Sequence, residues 1–155
     1  MPILLVKNSL DDSQKEFLNK YKGKKIYVIG GENAVSKAIE TELKKYGEVK
    51  RIAGTNRVDT SVKIAQTFFN EPLFDVVAYS HDFADGLCGG PFAYMIGAPL
   101  LLTREENKDI TQKYIDKQYH INGICLGGTA RITDKVLRKL FSASSSIEIN
   151  KLEWK

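Results

Sequence analysis

Apolar and polar residues alternate along the chain with two different spacings. Short continuous apolar runs are typical of β-strands covered on both faces, and apolar residues recurring every three or four positions are typical of amphipathic helices. The predicted strands span residues 3–6, 26–29, 49–52, 74–79, 99–102, 123–126 and 147–149. The predicted helices span residues 11–21, 36–46, 83–95, 110–118 and 133–141, with one more following Asn56. This alternation predicts an α/β fold, a doubly wound parallel sheet with helices on both faces.

Residues with special backbone preferences mark the ends of several helices. Ser36 is placed to cap the helix that begins there, and Thr55 or Asn56 is placed to cap the later one. Proline cannot donate a backbone hydrogen bond, and Pro91 follows two glycines. The sequence therefore predicts a break or bend within helix 83–95.

The chain matches itself when it is shifted by 97 positions. The shift places residues 2–5 on 99–102 and residues 29–31 on 126–128, with no gap between the two matches. Apolar positions of the following helices also stay in register. Such a register predicts about one and a half copies of a βαβα unit within a single domain. The predicted segments are the closing half of one copy at 1–46, a complete copy at 51–143, and a short C-terminal strand or tail at 144–155.

Composition and charge narrow the class of protein. The 155 residues are 43% hydrophobic and 27% charged, which is typical of a globular chain and excludes a disordered or fibrous one. No apolar run is long enough to cross a bilayer, and the first residues lack the pattern of a signal peptide. The net charge of +4 favours anionic partners, although the basic residues are spread along the chain. We expect neither nucleic acid binding nor membrane insertion.

Residues suited to catalysis or to metal binding are few and isolated. Cys88 and Cys125 lie in apolar surroundings and are predicted to be buried thiols rather than a disulfide framework. His81 and His120 are far apart in the sequence, and the chain has no zinc, thiol-redox or serine-hydrolase motif. The sequence therefore predicts no metal, no cofactor and no catalytic residue.

A pair of glycines follows each of two predicted strands, as in dinucleotide-binding folds. The dinucleotide motif needs a third glycine at a fixed spacing and an acidic residue about twenty positions later. Neither the pair beginning at Gly30 nor the pair beginning at Gly127 has the third glycine, and Arg51 lies in the region where the first acidic residue would stand. We therefore interpret these glycines as turn residues with positive φ angles.

Charged side chains come directly after predicted strands in two stretches, residues 51–61 and 78–87. Because the carboxyl ends of parallel strands meet at one edge of a sheet, we expect these side chains to cluster there. We expect Asp85 to pair with Arg57, and Thr60 to add a hydrogen bond. Such a cluster is either a ligand-binding site or a structural clasp, meaning a set of ion pairs and hydrogen bonds that only holds the fold together. The second reading is open because a buried arginine needs a partner. The candidate residues are Arg51, Arg57, Asp59, Thr60, Asp82 and Asp85.

These stretches resemble the motifs of the cell wall binding repeat 2 family, a clostridial type of cell wall module. The family's R-x-A-G-x-x-R-x-x-T pattern is matched by Arg51, Ala53, Gly54, Arg57 and Thr60. Its S-G-x-x-F-P-D-A-L pattern is matched in part, by Phe83, Asp85 and Leu87 in the correct spacing and by Ser80 one position closer to the phenylalanine. The family's later A-P-[IL]-L-L-T, G-G and I-S patterns correspond to residues 98–103, 127–128 and 132–133.

The resemblance implies a Rossmann-like or flavodoxin-like fold and a non-catalytic module that binds an anionic secondary polymer of a Gram-positive cell wall. It also implies a place at the cell surface. At the strand-end edge we expect Arg51 and Arg57 to contact the polymer, with Asp85 orienting Arg57. Family members carry three tandem units, so a homotrimer is our hypothesis for a chain with one complete unit. The alternative from another class is a small-ligand-binding or nucleotide-binding Rossmann-like domain, or an enzyme, that uses the same strand-end edge with His81 as acid or base. A third possibility is a purely structural segment that has lost binding.

Overall fold

The computed structural model describes residues 2–118 and 122–142. The chain divides into two units, Met1–Asn56 and Arg57–Lys155. The predicted strand at residues 147–149 lies outside the described residues, as does the tail that contains it. No helix within the described ranges has both the length and the apolar character needed to span a membrane.

Helices and strands alternate along the chain. The helices are α1 (Asp12–Lys20), α2 (Lys37–Leu43), α3 (Arg57–Phe68), α4 (Ala84–Met95), α5 (Lys108–Ile115) and α6 (Asp134–Leu140). The strands are β1 (Ile26–Ile29), β2 (Val49–Ile52), β3 (Phe74–Tyr79), β4 (Leu100–Thr103) and β5 (Asn122–Leu126). A 3₁₀ turn at Glu105–Asn107 precedes α5. The strand pairs of the described residues are parallel, which confirms the predicted α/β fold class.

In the first unit, β1 pairs in parallel with β2. Asp11 caps α1 through a reciprocal arrangement: its carboxylate accepts a hydrogen bond from the Gln14 N–H, and the Gln14 side chain accepts one from the Asp11 N–H. The apolar side chains of α1 and α2 pack with those of β1. The buried core residues of this unit are Leu10, Leu18, Val28, Ile39 and Leu43.

In the second unit, β3 lies between β4 and β5. Successive residues of a strand point to opposite faces of a sheet, and Val76 and Val77 of β3 are both fully buried. Val77 packs with side chains of α3, α5 and α6, whereas Val76 packs with Ala93 of α4. The predicted placement of helices on both faces of the sheet is therefore confirmed in this unit.

Several elements differ from their predictions. Residues 3–6 form no strand, and the Leu5 carbonyl instead accepts a hydrogen bond from the Gln14 side-chain amide. α2 ends at Leu43, earlier than predicted, because the N–H groups that follow bond to carbonyls three residues back. α4 continues through Pro91, which is exposed, so the helix is not broken there.

The first glycine of each turn has the positive φ angle that the sequence predicts, and the second does not. Gly30 has a φ angle of 107° and Gly127 has a φ angle of 110°. In both turns the carbonyl of the second glycine accepts hydrogen bonds from the N–H groups three and four residues ahead. A hydroxyl then caps the next helix, from Ser36 in the first unit and from Thr133 in the second. The two turns are therefore copies of one another in structure as well as in sequence.

Candidate binding site at the strand ends

Arg57 joins the start of α3 to the end of β3. Its Nη1 group donates a hydrogen bond to the carbonyl oxygen of Ser80, at 2.9 Å. Ser80 follows β3 directly and is buried, whereas Arg57 is exposed. One end of the guanidinium group is therefore fixed to the strand end while the side chain remains accessible to solvent.

Asp85 lies in the first turn of α4 and faces the turn that follows β5. Its carboxylate is so close to Gly127 that a Cβ atom at that position would overlap it. Burial, with a smaller contribution from the negative charge of Asp85, raises the pKa of the Cys125 thiol to about 11. In the part of the chain that the structure describes, no ion pair joins Asp85 to Arg57, because Asp85 is directed toward the end of β5 and Arg57 bonds to Ser80.

The other candidate residues of this unit have local contacts. The Asp82 carboxylate accepts a hydrogen bond from the Phe83 N–H at 2.8 Å, just before α4 begins. Asp59 pairs with Lys63 one turn further along α3, at 3.6 Å. Thr60 is half-buried beside Asp59 on the same helix. All of these candidates therefore lie at the starts of α3 and α4, on the predicted edge of the sheet.

Arg131 adds a second arginine to this edge, and the sequence interpretation missed it. Its guanidinium carbon lies 5.4 Å from the centre of the Tyr79 ring, a distance typical of a cation–π contact. Tyr79 is the last residue of β3, and the His81 ring lies 6.4 Å from the Tyr79 ring. Arg131 follows the glycine turn after β5, so the rule that gathered the other charged residues at strand ends would also have included it.

Arg51 lies in the first unit, where protein atoms engage its whole guanidinium group. Its Nε and Nη2 atoms lie 2.9 Å and 2.8 Å from Oε2 of Glu40. Nη1 and Nη2 also donate hydrogen bonds to the carbonyls of Gly30 and Val35, at 2.7 Å and 2.8 Å. Only 16% of the Arg51 side chain is exposed, and its hydrogen bond to Glu40 lowers the pKa of that carboxyl. These are the contacts of a structural clasp.

The chemistry of the strand-end edge follows from its exposed arginines. Arg57 donates to the Ser80 carbonyl and Arg131 lies over the Tyr79 ring, and both residues are exposed. Guanidinium groups bind carboxylate and phosphate oxygens through paired hydrogen bonds. The described residues contain no group of histidine, cysteine and acidic side chains suited to holding a metal ion. The edge is therefore suited to contacts with anionic groups.

The family of the chain follows from comparison with known proteins. The model of the Cell wall binding domain 2 (CWB2) family matches residues 1–40 and 51–137, which is well over half of the chain. The chain belongs to this family, and the resemblance found in its motifs is confirmed. Its class is that of a cell wall binding module.

Two relatives from Bacillus subtilis match most of the chain. The amidase enhancer is 30% identical over 145 residues, which is 93% of this chain and 20% of the enhancer. The N-acetylmuramoyl-L-alanine amidase LytC is 30% identical over 154 residues, which is 97% of this chain and 31% of the amidase. The chain thus spans less than a third of the length of either relative.

Two solved structures of Clostridium difficile proteins share the fold. Cwp8 matches with a TM-score of 0.69 and 29% identity, over 80% of this chain and 21% of Cwp8. Cwp6 matches with a TM-score of 0.79 and 22% identity, over 93% of this chain and 23% of Cwp6. Both matches agree with the α/β architecture described above.

Proposed function

We propose that this chain is a non-catalytic, Rossmann-like module that binds an anionic secondary polymer of a Gram-positive cell wall. The observation that carries the proposal is the pair of exposed arginines, Arg57 and Arg131, at the strand ends of the second unit. Membership of the CWB2 family and the likeness to the amidase enhancer and LytC support the cell wall as the place of action. The net charge of +4 has the sign that an anionic partner requires.

Both arginines are positioned before any polymer arrives. Ser80 fixes one end of the Arg57 guanidinium, and the ring of Tyr79 restrains Arg131. A long side chain that is already restrained loses less entropy when it binds an anion. A single exposed ionic contact is worth only about 0.2 to 1 kcal/mol, so affinity depends on several contacts along one polymer.

The other candidate residues of the second unit lie at the starts of the same helices. Asp82 accepts a hydrogen bond from the Phe83 N–H just before α4, Asp85 lies in the first turn of α4, and Asp59 and Thr60 belong to the first turn of α3. Arg51 serves as a clasp in the first unit, because a carboxylate and two carbonyl groups already bind its guanidinium. We therefore assign the polymer contacts to the second unit.

Sedimentation with purified Gram-positive cell walls, before and after acid extraction of their anionic polymers, tests this function. We expect Arg57→Gln and Arg131→Gln each to weaken binding by up to about fivefold, the equivalent of one exposed ionic contact. The double variant should bind more weakly than either single variant. Binding of the unchanged chain should fall as salt rises, because exposed charges are screened.

Lys117→Gln is the matched control for these variants. Lys117 is exposed and follows the C-terminus of α5, which lies at the opposite edge of the unit because the helix runs back against the strand direction. The loss of one charge there should leave binding unchanged, and circular dichroism should show all variants folded. Binding that survives acid extraction, or equal losses in all three variants, would contradict the proposal.

We further propose that three chains associate, because association multiplies weak polymer contacts. Around α4, large apolar side chains are left exposed: Phe83 by 78%, Leu87 by 70%, Tyr94 by 86% and Met95 by 80%. Exposed apolar surface of this kind marks contact sites between proteins. Light scattering at micromolar concentration measures the mass of the assembly, and a monomer at every concentration would argue against the trimer.

A further inference from the structure

The first unit repeats part of the second unit in its hydrogen bonds as well as in its sequence. At the shift of 97 positions, Leu5 corresponds to Leu102 and Gln14 corresponds to Thr111. The Thr111 hydroxyl donates to the Leu102 carbonyl at 2.8 Å, and the Gln14 amide donates to the Leu5 carbonyl at 2.6 Å. Residues 2–6 therefore take the place of β4, and α1, β1 and α2 take the places of α5, β5 and α6.

In the second unit, β3 and α4 complete the structure around β4 and β5. β3 pairs with both strands, and the Val76 N–H donates to the Pro99 carbonyl at 3.1 Å. α4 covers one face of these strands through a close approach at Gly89. A Cβ atom at Gly89 would overlap Leu126 and would lie 3.4 Å from Leu100. β3 therefore joins the two strands into one sheet, and α4 covers one face of that sheet.

The first unit has no counterpart of either element within residues 2–56. Its sheet consists of β1 and β2. The side chains that correspond to those beneath α4 are exposed, by 87% at Ile3, 83% at Leu5 and 43% at Ile29. Their more buried counterparts in the second unit are Leu100, Leu102 and Leu126. One apolar face of the first unit is thus open where the same face of the second unit is covered.

We infer that the first unit is an acceptor for one strand and one helix of the β3–α4 type, contributed by a further copy of this repeat. In this arrangement the added strand lies parallel to β1 and also pairs with residues 2–6. The added helix covers Ile3, Leu5 and Ile29. The first unit then acquires the layered structure that the second unit already has.

The internal repeat fixes the register of the added strand. Val77 lies opposite Leu101 of β4 and opposite Cys125 of β5. At the shift of 97 positions these partners correspond to Leu4 and Val28. The residue equivalent to Val77 therefore lies opposite Leu4 and Val28 in the acceptor.

A repeat segment fits this face better than an unrelated partner does. The exposed side chains alternate along residues 2–6, so they line one face of an extended segment and match the pleat of a neighbouring strand. The glycine at position 89 shows how α4 comes close to leucine side chains on the equivalent face. The chain's own β3 is not the added strand, because β3 already pairs with β4 on one side and with β5 on the other.

A fusion protein tests the inference. Residues 57–98 are duplicated and placed directly before Pro2, so that Ala98 precedes Pro2 as it precedes Pro99 in the natural order. Amide hydrogen exchange then compares the monomeric fusion with the unmodified chain. We expect exchange at residues 3–6 and 26–29 to slow by about tenfold or more, because strand pairing protects backbone amides.

The control is Val77→Pro in the added copy alone. The substitution removes a backbone donor from the middle of the added strand and blocks its pairing. Protection of residues 3–6 should then be lost, while the natural β3 to β5 remain protected and show that the chain is folded. Equal exchange of residues 3–6 in the fusion and the unmodified chain, with the second unit protected in both, would overturn the inference. Neither result depends on polymer binding.

Discussion

The turn after β1 and the turn after β5 have the same backbone but different neighbours. Each begins with a glycine at positive φ and leads to a helix capped by a hydroxyl. In the first unit, Arg51 donates hydrogen bonds to the carbonyls of Gly30 and Val35. In the second unit, the Asp85 carboxylate packs against Gly127. The turn after β1 is therefore held by the positively charged Arg51 side chain, and the turn after β5 is covered by the negatively charged Asp85 side chain.

This difference distinguishes contacts that residues of the turn make with one another from contacts that residues of other elements make with the turn. The glycines and the capping hydroxyl act within a few residues of one another, so the turn forms in both copies. The clasp needs two residues from other elements. At the shift of 97 positions Glu40 aligns with Leu137 and Arg51 aligns with Glu148, so the second copy of the sequence has neither member of the ion pair.

Replacing the first glycine of each turn with alanine gives the largest expected difference in the free energy of unfolding between the two turns. Gly127→Ala should lower the free energy of unfolding by about 3 kcal/mol, because it combines strain at positive φ with overlap against Asp85. Gly30→Ala shares the strain but meets the Ala34 Cβ atom at 3.0 Å, so a loss of about 2 kcal/mol is expected. Urea unfolding measures both. Gly128→Ala, which meets no atom within 4 Å, is the control, and equal losses at Gly127 and Gly30 would remove the role given to Asp85.

Truncating the two motif arginines separates the clasp from the exposed edge. Arg51→Ala leaves the carbonyls of Gly30 and Val35 without this donor, and unfolding should become easier by about 2 kcal/mol. Arg57→Ala removes one bond of an exposed side chain, and a change under about 1 kcal/mol is expected. Thermal and urea unfolding provide the measurement. Equal destabilisation by both changes would mean that Arg57 is also a clasp.

Acid gives a smaller and more specific test of the clasp. Arg51 lowers the pKa of Glu40 below its ordinary value of 4.5, so the pair stabilises the folded state at higher pH. That contribution is lost as pH falls through the lowered pKa, when the carboxylate becomes protonated. The difference in unfolding free energy between the unchanged chain and Arg51→Ala should therefore be constant near neutral pH and shrink below about pH 4.5. A difference that stays constant into acid would exclude the charge of Glu40 as its source.

Local sequence signals predicted the structure where the controlling contacts are also local. The cap at Ser36 and the positive φ angles of Gly30 and Gly127 depend on neighbours along the chain, and these predictions are confirmed. Residues 3–6 have the same apolar pattern as 99–102, yet only the later segment is a strand. β4 has β3 to pair with, whereas residues 3–6 have no such partner among the described residues. Strand formation therefore depended on a distant element that the pattern does not reveal.

The site was predicted only as far as topology allows. The rule that strand ends share an edge correctly placed the charged residues at the starts of α3 and α4. The rule could not give the direction of each side chain, and so it paired Arg57 with Asp85. In the structure Arg57 contacts Ser80 and Asp85 contacts Gly127. Arg131 was missed because it follows a turn selected for its glycines rather than for its charge. Polymer binding by these residues remains our proposal.

The extended segment before α1 also bears on how the protein behaves when it is concentrated. Residues 3–6 are free of charge, and Ile3 and Leu5 are exposed whereas Leu4 and Val6 pack against the core. An unpaired apolar segment of this kind favours stacking of one chain on another. Three neighbours oppose that stacking: Pro2 has no N–H group to offer, Gln14 occupies the Leu5 carbonyl, and Lys7 adds a charge at the end of the run. These neighbours therefore oppose the growth of one chain upon another.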